Sequence, residues 1–73
     1  MKYLKIDWVD STFHNGWHLK ADADCSLSQC VSIGAVIDEN KEVIVLAQSY
    51  SDDCWGDRIT IPRCSIKKVR ELK

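Results

Sequence analysis

The chain has 73 residues, a net charge of −1 and a hydrophobic fraction of 45%. That length excludes a second domain, and that composition excludes a disordered chain. A domain this small buries only about 60% of the surface its unfolded chain exposes, so support from disulfides, a metal or self-association is expected.

The charge is uneven. Residues 1–56 carry four basic and nine acidic side chains, whereas residues 57–73 carry six and two. The basic set is Arg58, Arg63, Lys67, Lys68, Arg70 and Lys73. It suits a phosphate-bearing ligand, the acidic surface of another subunit, or simply a solvated last strand. No apolar run reaches membrane-spanning length, so no membrane association is expected. Residues 1–10 read as a strand containing Asp7 rather than an export leader. The expected location is therefore the cytoplasm, where Cys25, Cys30, Cys54 and Cys64 stay reduced.

In residues 2–9, Leu4, Ile6 and Trp8 alternate with Lys5, Asp7 and Val9, the period of a half-buried strand. Asp10, Ser11 and Thr12 end it, and Asn15-Gly16 marks a turn. Residues 17–25 hold alanines, leucine and lysine without β-branched residues, which predicts a short helix of about two turns. Residues 30–37 predict the second strand, with Val31, Ile33, Ala35 and Ile37 on one face and a bend or close backbone approach at Gly34. Residues 38–41 form a hairpin turn. Residues 42–50 form the strongest strand, apolar on both faces and so expected to be covered on both. Residues 51–56 read as a loop, and residues 57–61 as a short strand stopped by Pro62. The three-residue spacing of Ile66, Val69 and Leu72 predicts a 3₁₀-like turn running into a last strand. The result is a mainly β domain, a small five-stranded Sm-like or SH3-like barrel with one short helix after the first strand.

A set of residues in order then resembles a family of small hypothetical proteins common in phages and prophages. They are Trp8, Asp10, Ser11, Gly16, Trp17, Ser32, Gly34, Ile61, Pro62, Ile66, Val69, Glu71 and Leu72, and they span nearly the whole chain. The segment Val31–Leu72 is also similar to an Sm-like core, in which barrels join edge to edge into rings. Some small phage proteins of this size sequester nucleotide second messengers of bacterial immunity. The resemblance implies a homo-oligomer in the host cytoplasm acting as such a sponge.

Two groups of residues are candidate ligand sites. In the first, the indoles of Trp8 and Trp17 can stack on a base while Asp10 or Ser11 bonds ribose hydroxyls. The competing reading has Asp10 or Ser11 capping a turn or helix while both tryptophans pin that helix to the barrel. In the second, Trp55 stacks on a base and Arg58 pairs with a phosphate, or Trp55 packs against a neighbouring subunit. His14 and His18 could sit near each other, but Cys25 and Cys30 have four intervening residues, a borderline gap, and Cys54 and Cys64 have nine, so the cysteines do not make a zinc site and neither a metal nor another cofactor is expected. Cys30, Cys54 and Cys64 are expected as small core or near-core residues. No motif for catalysis stands out. The expectation is a non-enzymatic protein binding a small nucleotide-like ligand between subunits. The alternatives are a ring binding single-stranded nucleic acid through Arg58, Arg63 and nearby lysines, and a module blocking a host protein.

Overall fold

Five antiparallel strands form one sheet in the order β4-β3-β2-β1-β5. They are β1 (Tyr3–Asp10), β2 (Ser28–Glu39), β3 (Val43–Tyr50), β4 (Trp55–Pro62) and β5 (Ile66–Leu72). The computed structural model describes residues 1–11, 16, 17, 19–22 and 26–73. The sheet is open: β4 and β5 are its outer edges, and no ladder joins them.

The sheet is folded over at β2. Residues Ser28–Ala35 of this strand pair with β1, whereas Ala35–Glu39 pair with β3. Ala35 belongs to both ladders, and a register shift between Val36 and Asp38 makes Ile37 an extra residue, the kind of insertion that bends a strand. The connection from β4 to β5 requires this fold. Pro62 stands opposite Val43 and Ile66 opposite Trp8, positions at opposite ends of β2. In a flat sheet they would lie about 19 Å apart across the strands and roughly 30 Å apart along them. The three residues Arg63–Ser65 between them reach at most about 14 Å.

The alternation in β1 and β3 now has its cause. Leu4, Ile6, Ile44, Leu46 and Ile61 are buried together, and Trp8, Val36, Ile59 and Ile66 pack against them. Every strand contributes to this concave face. Ala35 and Ala47 are buried on the other face, where they stand opposite one another.

Several expectations are corrected. The described part of 17–25 holds only a 3₁₀ turn at Lys20–Asp22; His18 and residues 23–25 lie outside the described residues. Trp17, Leu19, Lys20 and Ala21 are exposed, so these four residues bury nothing that would offset the cost of helix nucleation. The last 3₁₀ turn lies before Ile66, at Arg63–Ser65, and Ile66–Leu72 is all strand. Trp55 opens β4 rather than sitting in a loop. Cys54 and Cys64 are exposed and so neither core nor near-core, whereas Cys30 is half-buried; all three are free thiols. Cys25 and His14 lie outside the described residues. Val31 and Ile33 do share a face, but they are 60% and 53% exposed.

One basic residue has a structural task. The Arg63 guanidinium donates from Nε to the Asn40 carbonyl (2.6 Å) and from a terminal nitrogen to Glu39 Oε1 (2.9 Å), while its backbone N–H donates to the Glu42 carbonyl (2.8 Å). Asn40 Oδ1 in turn accepts from the N–H groups of Glu42 and Val43. Arg63 therefore clamps the turn after β4 to the β2–β3 hairpin. Arg63→Ala should cost about 1 kcal/mol, the scale of a partly exposed charge-assisted bond. Arg63→Lys should not restore it, because an ammonium cannot reproduce the planar fork. Urea unfolding of the two variants checks this, and an unchanged midpoint for Arg63→Ala would refute the clamp.

Candidate functional site

Trp8 anchors a candidate site among the described residues. Its ring is half-buried against the core, and its indole N–H donates to Ser32 Oγ at 3.0 Å. The bond crosses from β1 to β2, so the ring's position is fixed from both strands. The same indole lines a cleft of about 310 Å³ with Asp7, Gln29, Cys30, Val31, Lys67 and Lys68. That volume lies at the lower end of small-molecule sites.

The two lysines reach this cleft because of a fault in the β1–β5 ladder. Asp7 stands opposite Lys68 and Trp8 opposite Ile66, so Lys67 is an extra residue without a partner. In a regular strand, neighbouring side chains point to opposite faces. A bulge breaks that alternation, and here Lys67 and Lys68 both border one cleft. Asp7 supplies a carboxylate and Gln29 an amide to the same walls. The cleft thus combines an aromatic wall, two positive charges and hydrogen-bonding groups of both polarities.

The other residues of the first candidate group are not gathered there. Asp10 ends β1 on the surface, and its Oδ1 accepts the Ser11 backbone N–H at 2.8 Å. Ser11 is exposed, and Trp17 is fully exposed. Among the described residues no ring contact joins Trp17 to Trp8, and neither Asp10 nor Ser11 lines the cleft.

A second, shallower cleft of about 260 Å³ is lined by Ser49, Tyr50, Ser51, Cys54, Trp55 and Gly56. Trp55 is 44% exposed and stands opposite Tyr50. Their rings are 5.7 Å apart at 59°, a tilted aromatic pair. The Tyr50 hydroxyl shares a 2.9 Å hydrogen bond with that of Tyr3. This bond, with lesser contributions from burial and the nearby Tyr50 charge, raises the Tyr3 phenol above its ordinary value. Three aromatic side chains thereby tie β1, β3 and β4 together. Arg58 is exposed opposite Ala47, three residues from Trp55, and does not line this cleft. Asp57 between them takes a left-handed φ of 47°.

The sequence pointed to Trp8 and, within the basic set, to Lys67 and Lys68, but not to their meeting in one cleft, because the bulge at Lys67 depends on pairing with β1; Gln29 carries no local signal of a site. Comparisons with family models, with curated proteins and with solved structures return no match.

Proposed function

We propose that the chain is a non-enzymatic, Sm-like or SH3-like barrel module that works as a homo-oligomer and holds a small nucleotide-like anion in the Trp8 cleft. The observation that carries this reading is the bulge at Lys67, beside which Lys67 and Lys68 line one cleft with Trp8. A base can stack or edge against the ring, and a phosphate can pair with Lys67 and Lys68. Asp7 and Gln29 are placed to bond sugar hydroxyls or a base edge.

The barrel reading is supported by the strand order, by the fold at β2 and by the single 3₁₀ turn between β4 and β5. The resemblance to small phage proteins favours sequestration of a signal over its turnover. Lys67, Lys68 and Arg70 on β5 and Lys73 just after it are exposed basic residues, which favours single-stranded nucleic acid as a second reading. Arg63 is engaged in its clamp and is less free to contribute there.

Native mass spectrometry after exposure to host lysate tests the first reading by detecting a retained small molecule. Tryptophan fluorescence titrations with adenosine monophosphate and with a single-stranded oligonucleotide separate the two. The combined Lys67→Glu and Lys68→Glu variant should lose at least about tenfold in mononucleotide affinity, since each charge-assisted bond contributes roughly 1.5–3 kcal/mol. Its unfolding free energy should fall by no more than about 1 kcal/mol, as both sites are exposed and the Lys68→Glu carboxylate stands opposite Asp7. Equal mononucleotide affinity in parent and variant would refute the site. Oligonucleotide affinity that falls steeply with salt, without mononucleotide binding, would favour the second reading.

A further inference from the structure

The sheet has a third edge besides β4 and β5. From Ser28 to Gly34, β2 pairs with β1 on one side, while β3 joins it only from Ala35 onward. Among the described residues no backbone ladder occupies the other side of this stretch. The two outer edges are guarded in the usual way, with charges and a proline. β5 carries Lys67, Lys68 and Arg70, and β4 carries Asp57, Arg58 and Pro62. The free stretch of β2 has no such guard: residues 26–37 contain no charged side chain and no proline. It also presents Val31 and Ile33, 60% and 53% exposed.

We infer that this edge is the self-association interface, with β2 pairing antiparallel to β2 of a second copy across a twofold axis at Ser32. The inference rests on the homo-oligomer part of the reading above and names its surface. Antiparallel pairing of one strand with itself is isologous, so a single contact closes the dimer and leaves no further edge of the same kind. With the axis at Ser32, Val31 of each copy faces Ile33 of the other. Four β-branched side chains then form one apolar band, and no like charges meet within it. An unrelated partner strand would need charges or pockets to select it, and this edge offers neither.

Gln29, Cys30 and Val31 of this edge also line the Trp8 cleft, so the interface and the cleft share residues.

Sedimentation equilibrium from low micromolar to millimolar protein tests the inference. The parent should be a dimer, and Val31→Lys with Ile33→Lys should be a monomer, its affinity for itself reduced at least a hundredfold. A parent that stays monomeric overturns self-association altogether. A parent dimer whose lysine variant also stays dimeric overturns the β2 interface while leaving oligomerisation intact. Hydrogen exchange on the parent gives a readout without substitution. Protection of the amides in residues 28–34 should rise with protein concentration, and protection independent of concentration in a dimerising protein overturns the interface.

Discussion

Gly34→Val should leave no cooperatively folded protein, and Gly34→Ala should unfold at a far lower urea concentration than the parent. A Cβ placed at Gly34 would lie 2.6 Å from the Ala47 carbonyl oxygen, 3.1 Å from its carbonyl carbon and 3.3 Å from the Leu46 Cβ. The first two atoms are backbone of β3, so no side-chain rotation can relieve the contact. Relief requires β2 and β3 to separate where β2 passes from one ladder to the other. Overpacking of this kind costs roughly 1–3 kcal/mol for small insertions and more where the backbone must move. Small domains have about 5 kcal/mol in total, so alanine should remove much of the stability and valine the rest. Circular dichroism across a urea gradient measures both. A Gly34→Ala midpoint equivalent to within about 0.5 kcal/mol of the parent would mean that β3 does not approach as described.

Gly34 was legible in the sequence as a bend or close approach, since a glycine inside an apolar strand has few other uses. The alternation in β1 was legible for the same reason that it folds: Leu4, Ile6 and Trp8 all face the concave core. In β2 the period was right, but the apolar face was not the core face. Val31 and Ile33 point outward, while Ser32 and Gly34 stand opposite Ile6 and Leu4 on the concave side. Small residues are needed there, because Ser32 receives the Trp8 bond and Gly34 receives the β3 backbone. Hydrophobicity alone assigns such a strand to the wrong side. The helix expected at 17–25 is not seen among the described residues, where Trp17, Leu19, Lys20 and Ala21 are exposed and local propensity alone counts for little. The Lys67 bulge was not legible, since it is defined by the register between β5 and β1 and not by either strand alone.

Trp8→Ala should lower stability by about 3 kcal/mol, toward the lower end of what truncating a large core aromatic costs. The lower end applies because the ring is half-buried rather than enclosed. The loss has two parts: the ring's packing on Leu4, Ile6 and their neighbours, and the bond to Ser32. Trp8→Phe separates them. It keeps most of the apolar contact and removes the indole N–H, so it should cost only about 1 kcal/mol. Ser32→Ala removes the acceptor alone and should cost about the same, with little added in the double variant Trp8→Phe, Ser32→Ala. Trp55→Ala provides the contrast. Its ring is 44% exposed and contacts Tyr50, so the variant should lose no more than the roughly 0.5–1.5 kcal/mol of an aromatic pair. Binding should follow a different order. A mononucleotide held in the Trp8 cleft loses its aromatic wall in Trp8→Ala, retains a smaller one in Trp8→Phe and is untouched by Trp55→Ala. Melting curves and fluorescence titrations on these variants give both orders. If Trp55→Ala abolishes binding while the folded Trp8→Phe variant binds like the parent, the ligand belongs to the Tyr50–Trp55 cleft. Trp8 is then a structural residue alone.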